Sequence, residues 1–372
     1  MFARIRRGSK VHTPFAHFLH PQITQIKHAP LNGGKLLHTR QDIPSASHFP
    51  CPFRAEDASN PRNQNVNLLA LYGIVMFIRF MEYLRLVRFS HTLFALPFVV
   101  LATGMAVAET GYSLRFADLI GILLCMVFAR SAAMGFNRYA DQKIDAENPR
   151  TASRHLPAGI LSPQNVWAFI AVCSIGFVLS TLLFLPNTIP VIAAVPVLAF
   201  LFGYSYAKRF TTLAHFWLGA ALMLSPLAAW VVIRPELVPV PLPPIFLGGG
   251  VLFWTAGFDL IYACQDAEVD ARTGLFSVPG HYGIPAALRL AACSHFVALV
   301  FFGMLPLLFP LFGHIFFIGV CCVGLIFIAE HLLARPRRNK PLDLDRVNIA
   351  FFQMNVVVSL GLMTVGLIDL AW

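Results

Sequence analysis

Two short acidic stretches hold the residues best suited to chemistry. The first reads Asn137-Arg138-Tyr139-Ala140-Asp141-Gln142-Lys143-Ile144-Asp145; the second runs from Asp259 through Tyr262, Asp266 and Glu268 to Asp270. Asn137, Asp141 and Asp145 recur every fourth residue, as do Tyr262, Asp266 and Asp270, and a helix collects such positions on one face. The second triplet follows the first by a constant 125 residues, and Asp259 stands seven residues before Asp266, two turns back along that face. Carboxylates gathered this way repel one another unless a cation joins them. Mg²⁺ suits such a place, because it takes one or two carboxylates and completes its shell with water and phosphate oxygens. Two acidic faces opposed across a pocket could hold two Mg²⁺ with a diphosphate between them. Either stretch alone could be a solvated loop start with ordinary charges. Two copies, each closing an apolar run, favour the functional reading, because ionisable groups at the membrane edge are rare and costly.

Basic residues follow closely. Arg150 and Arg154 come after the first stretch, and Lys208 and Arg209 close Tyr204-Ser205-Tyr206-Ala207-Lys208-Arg209. Each could neutralise a departing diphosphate, and each is equally explained by basic residues flanking membrane helices. Arg88 could pair with a carboxylate on a second substrate, or could simply anchor a helix end by snorkelling.

The elements that position these residues are legible in the composition. Hydrophobic residues make up 57% of the 372 positions and Asp, Glu, Lys and Arg only 12%, with a mean hydropathy of +0.67. That excludes a soluble globular enzyme and a disordered chain. Uncharged apolar runs of about 20 residues exclude a β-barrel, whose strands alternate. The expectation is an all-α polytopic membrane protein of nine helices around a central cavity. Spans are expected near 92–108, 117–136, 164–184, 188–206, 213–233, 244–263, 286–308, 311–333 and 347–370. One set of helix ends carries fifteen Lys and Arg and the other only Arg115 and Arg234, which places the N-terminus and both acidic stretches in the cytoplasm. The net charge of +10 sits on a tail and on helix flanks, so nucleic acid is not an expected partner. The seven cysteines form no CxxC pair and read as small buried hydrophobes.

Residues 1–75 differ from the rest and read as a basic, disordered tail preceding a transmembrane domain at 76–372. Six of thirteen histidines fall in the first 48 positions, and no long apolar segment marks a secretory signal. The tail could be read through from an upstream start, with Met76 or Met81 as the true one, could hold a histidine-based metal site, or could be an organelle transit peptide.

The motif residues resemble those of the UbiA family of intramembrane aromatic prenyltransferases. NRYADQKID is similar to the family's NxxxDxxxD pattern, and NPRTASRHLPAG to its following Arg- and Pro-rich run. FDLIYACQDAEVD resembles the YDxxYAxxDxxxD segment, and YSYAKRFT the Tyr-x-x-x-Lys-Arg segment. The likeness covers about residues 80–372 and extends to the nine helices. The family often has Asp directly after the first Asn, where this chain has Arg138. RFSHTLFALPF and the second motif look most like the 4-hydroxybenzoate polyprenyltransferase-like subgroup.

That resemblance implies Mg²⁺-dependent transfer of a polyprenyl group from its diphosphate to an aromatic acceptor in quinone biosynthesis, within a bacterial inner membrane. 4-Hydroxybenzoate is the expected acceptor, with 1,4-dihydroxy-6-naphthoate of a menaquinone route as the alternative. It implies Asn137, Asp141, Asp266 and Asp270 as Mg²⁺ ligands, with Asp145 in support. Asp259 would stabilise the allylic cation or take the ring proton, and Tyr262 and Tyr204 are secondary candidates that could equally be packing residues. A secondary transporter is the rival from another class, since it too has many helices and repeats. Transporters, however, place ionisable groups near the bilayer midplane, and here only Asp259 lies deeper than the helix ends.

Overall fold

The computed structural model describes residues 61–87, 94–236, 240–336 and 342–372, with the backbone alone at 61–72 and 75. The expectations for residues 1–60 and for Arg88 lie outside the described residues. Every regular element described is helical. Helix α1 (Pro61–Leu86) crosses the expected domain boundary at residue 75. Then come α2 (Leu96–Thr110), α3 (Phe116–Ala140), the short α4 (Gln142–Glu147), and α5 (Pro163–Thr181) with a 3₁₀ turn to Phe184. Next are α6 (Ile189–Ala207), α7 (Ala214–Ile233), α8 (Leu242–Ala263), a 3₁₀ turn at Cys264–Asp266, α9 (Ala267–Thr273) and α10 (Val278–Tyr282). The chain ends with α11 (Ile284–Leu308), α12 (His314–Ala334), α13 (Leu344–Asn348), a π turn at Ile349–Met354, and α14 (Asn355–Ala371).

Eight of these segments are long and apolar enough to cross a membrane, and α2, at 15 residues, is a shorter apolar helix. At 1.5 Å per residue α2 covers about 22 Å, less than the ~30 Å of hydrocarbon. With α2 the count matches the nine expected spans, and the bounds agree to within about four residues. Val172, Ile175, Ile192, Phe296, Leu325 and Ile328 point outward and are more than half exposed. Such an apolar surface is stable against lipid and not against water. The chain is an integral membrane protein.

Residues 69–372 form one compact unit. Helix α8 packs between α7 and α11, α2 packs on α7 and α14, and α3 packs on α5 and α6. Small residues allow the close approaches, as is usual where lipid offers no hydrophobic drive for helix association. A Cβ on Gly219 of α7 would strike the Leu252 carbonyl of α8, and one on Gly257 of α8 would strike the His295 ring of α11. Two thirds of the α8 span is therefore buried. Beside α3, the end of α1 docks through Leu86, buried with Phe136 and Ile170, and through Tyr83, stacked on Phe169 at 4.9 Å.

Candidate active site

Both acidic motifs share one local device. Helix α3 ends at Ala140, Asp141 takes φ −92° and ψ 3°, and α4 begins. Helix α8 passes through its 3₁₀ turn to Asp266 at φ −106° and ψ 5°, and α9 begins. These are bridge-region angles, sparsely populated elsewhere and common at functional sites. The expected continuous helical face is thus broken at its middle carboxylate in both motifs. The break sets each short helix off from the long one before it. Helix C-termini carry partial negative charge, so the ends of α3 and α8 add to the demand for cations there.

One cavity of about 270 Å³ is bordered by Asn137, Asp141, Asp145, Asp259, Tyr262, Asp266 and Asp270, by Arg150, Arg154 and Lys208, and by Tyr204. The two motifs therefore meet. Arg209 does not border the cavity; its guanidinium donates to the Ala140 carbonyl at 2.5 Å, lies 3.6 Å from Asp141 Oδ1 and stacks over Tyr206.

The chain's own cations neutralise the carboxylates. Lys208 Nζ donates to Asp141 Oδ2 at 2.7 Å, and Arg154 to Asp145 Oδ1 at 2.7 Å. Arg150 clasps Asp266 with two nitrogens, and Asn148 donates to Asp266 Oδ1 at 2.8 Å. Burial works against the Arg150 charge, but its hydrogen bonds to Asp266 and Tyr262 outweigh that and raise its pKa above the ordinary arginine value. Among the described residues, no three His, Cys, Asp or Glu side chains converge closely enough to hold a metal ion. Yet Asp141 Oδ1 and Asp145 Oδ2 are buried without a hydrogen-bond partner. Buried carboxylate oxygens with spare lone pairs are what a hard divalent cation takes, so the donor set fits Mg²⁺.

A second cavity, of about 350 Å³, runs deeper between α2, α3, α5, α6 and α7. Its walls are apolar, including Val99, Ile122, Phe177, Val197 and Leu227. It shares Arg130, Met134, Asn137, Tyr204, Leu218 and Leu222 with the polar cavity, so the two are adjoining compartments with common walls. A charged head with a long hydrocarbon tail fits that pair of compartments.

Two residues that border the polar cavity were not among the expected site residues. Arg130 of α3 borders both cavities, and its Nε has no hydrogen-bond partner. An arginine inside an apolar run marks function by default, and that signal was present in the sequence. His215, second residue of α7, borders the polar cavity and bonds Asp259 at 2.7 Å. A lone histidine beside no motif gave no such signal.

Residues 95–355 match the UbiA prenyltransferase family. A 4-hydroxybenzoate octaprenyltransferase of Saccharophagus degradans is 33% identical over 254 residues, covering 67% of this chain and 81% of its own length. A relative of the same name from Marinobacter nauticus is 30% identical over 268 residues, covering 70% and 87%. Among solved structures, a UbiA homologue from Aeropyrum pernix superposes with a TM-score of 0.65 at 29% identity, covering 75% of this chain and 97% of its own. A UbiA homologue from Archaeoglobus fulgidus bound to GPP and Mg²⁺ shares the fold, with a TM-score of 0.55 at 16% identity, covering 78% and 100%. With most of its length matched and both acidic motifs bordering one cavity, this chain belongs to the UbiA prenyltransferase family.

Proposed function

We propose that the protein transfers a polyprenyl group from polyprenyl diphosphate to the ring of 4-hydroxybenzoate, in ubiquinone biosynthesis, with Mg²⁺ held by Asn137, Asp141, Asp266 and Asp270 and supported by Asp145. The observation that carries this reading is the polar cavity ringed by both acidic motifs, walled in common with an apolar one. Bound there, Mg²⁺ supplies positive charge to the diphosphate as the allylic C–O bond ionises. Arg150, Arg154 and Lys208 reach the same cavity on flexible stems, so their donors can pass from carboxylate to phosphate oxygens. Arg209, outside the cavity but 3.6 Å from Asp141 Oδ1, adds to the field.

The apolar cavity takes the prenyl chain and keeps water from the allylic cation. Tyr262, tilted against Phe351 with ring centroids 4.1 Å apart, offers an aromatic face in the polar cavity. Tyr204, on the shared wall, is positioned to contact either substrate.

Arg130 supports an acid as the acceptor. A guanidinium at membrane depth with an unpartnered nitrogen calls for an anion, and 4-hydroxybenzoate carries a carboxylate opposite its hydroxyl. The prenyl group joins the ring carbon beside that hydroxyl. Membership of a prenyltransferase family sets the transporter alternative aside.

The acidic ends face the cytoplasm of a bacterial inner membrane in this reading. Two features support that orientation. Most Lys and Arg flank the acidic ends, and the basic residues at the far ends are paired off, Arg115 with Asp118 at 2.6 Å and Arg234 with Glu109 at 3.0 Å. The catalytic domain is taken as residues 76–372, with the basic residues 1–75 preceding it.

The test is an incubation of membranes with Mg²⁺, labelled prenyl diphosphate and either 4-hydroxybenzoate or 1,4-dihydroxy-6-naphthoate. Prenylated 4-hydroxybenzoate, identified by mass, is the expected product. Product from the naphthoate alone reassigns the acceptor, and product from neither overturns the reading.

A further inference from the structure

Electrophilic attack on the ring leaves a carbon carrying both the new prenyl group and a proton that must depart. We propose that His215 takes this proton at Nε2, with Asp259 holding the imidazole in the required tautomer; the assignment rests on the prenyl-transfer reading above. His215 is 5% exposed and borders the polar cavity. Its Nδ1 lies 2.7 Å from Asp259 Oδ2. A carboxylate accepts, so Nδ1 carries the hydrogen and Nε2 keeps its lone pair. That Nε2 is buried with no hydrogen-bond partner among the described residues. A bare imidazole nitrogen on a residue that borders the cavity, with its other nitrogen fixed by a carboxylate, is the arrangement that orients a general base.

The dyad also sits at a suitable depth. Asp259, on α8, precedes Asp266 by seven residues, and Arg130, on α3, precedes Asp141 by eleven. At 1.5 Å per residue these are about 10 Å and about 16 Å below the acidic layer. An aromatic acid with its carboxylate at Arg130 would point its hydroxyl end up toward the dyad. The diphosphate would lie above, among the carboxylates. In the step, the C–O bond to diphosphate breaks with its electron pair leaving on oxygen. The ring carbon forms the new C–C bond, and its C–H pair returns to the ring as the proton passes to Nε2. The imidazolium then returns its proton to water at the mouth. Asp259 itself is the weaker choice of base. Its Oδ2 is engaged by His215, whereas the imidazole Nε2 has no hydrogen-bond partner among the described residues.

The experiment compares wild type, His215→Gln and Asp259→Asn in membranes, with 4-hydroxybenzoate and with its ring-deuterated form. Binding of labelled geranyl diphosphate in Mg²⁺ is measured alongside. His215→Gln should lower kcat about 100-fold with both KM values and geranyl diphosphate binding little changed. A primary isotope effect should emerge on the ring-deuterated acid. Asp259→Asn should show the same signature at smaller amplitude. Unchanged kcat in His215→Gln, a rise in KM alone, or a slowed reaction without an isotope effect each overturn the assignment. So does loss of geranyl diphosphate binding in Asp259→Asn, which would move that carboxylate into the metal shell. Wild-type turnover in the same experiment keeps these failures separate from failure of the prenyl-transfer reading.

Discussion

Arg150 and Asp266 form a two-pronged ion pair between residues 116 positions apart in sequence, and the same guanidinium donates to the Tyr262 hydroxyl at 2.9 Å. The pair ties the loop after the first motif to the helix end that carries the second. It also occupies the carboxylate assigned here to Mg²⁺. In the proposed reaction the same guanidinium meets phosphate oxygens. Removing one donor aimed at developing charge costs roughly 10²-fold or more in rate. Arg150→Gln should therefore lower kcat by about that factor. Because the variant also takes the guanidinium off Asp266, half-maximal turnover should need less Mg²⁺ than in wild type. A Mg²⁺ titration of both proteins checks the pair of effects, and an unchanged midpoint would show that Arg150 and the metal do not compete.

Asp141 is 2% exposed, with one oxygen held by Lys208 and the other 3.6 Å from Arg209 without a hydrogen bond. Asp141→Ala should abolish turnover while the protein still accumulates in membranes, and Asp266→Ala should do the same. EDTA should silence the wild type, and added Mg²⁺ should restore it. Prenylation at wild-type rate by both variants would remove the carboxylates from the reaction.

The sequence made the spans and the acidic motifs legible for separate physical reasons. Apolar runs of helix-crossing length are set by the bilayer and need no tertiary knowledge, so eight long helices and the shorter α2 fell close to expectation. The motifs were legible because scarce carboxylates recurred at fourfold spacing. What tertiary contacts decide was not legible. The break at Asp141 and at Asp266 is a backbone conformation that the spacing of the carboxylates does not encode. Arg209 belongs to the same Lys-Arg pair as Lys208, yet it turns to a backbone carbonyl, and the i, i+1 geometry of a helix end gives no hint of which will face inward. His215 becomes notable only because Gly219 lets α7 approach α8 and brings Asp259 within hydrogen-bond reach.

Arg130 distinguishes acceptors by charge. A hydrogen bond to a charged partner contributes about 1.5–3 kcal/mol, which corresponds to roughly 10- to 100-fold in affinity. Arg130→Gln should raise KM for 4-hydroxybenzoate by that range and leave KM for the prenyl diphosphate nearly unchanged. The variant should also lose preference for the acid over 4-hydroxybenzamide, which lacks the negative charge. Steady-state kinetics with both acceptors provides the check. A rise confined to the diphosphate KM would instead place Arg130 at the leaving group.

The apolar cavity makes a further demand, on chain length. Ala193 and Val197 of α6 border it one turn apart, toward the end remote from the acidic motifs, while Leu218 and Tyr204 lie at the junction with the polar cavity. A prenyl chain whose diphosphate sits among the carboxylates must pass Tyr204 first and reach Ala193 only after several isoprene units. Ala193→Phe adds a ring to that remote wall without touching the acidic site. Turnover with geranyl diphosphate should persist, because two isoprene units stop short of the obstruction. Turnover with a long polyprenyl diphosphate should fall steeply, since a core with an inserted ring is relieved only by strain of about 1–3 kcal/mol. Rates measured across a series of chain lengths would place the cut-off. An equal loss at every length would mean that the substitution disturbs the fold, and no loss at any length would mean that the tail leaves the bundle by another path.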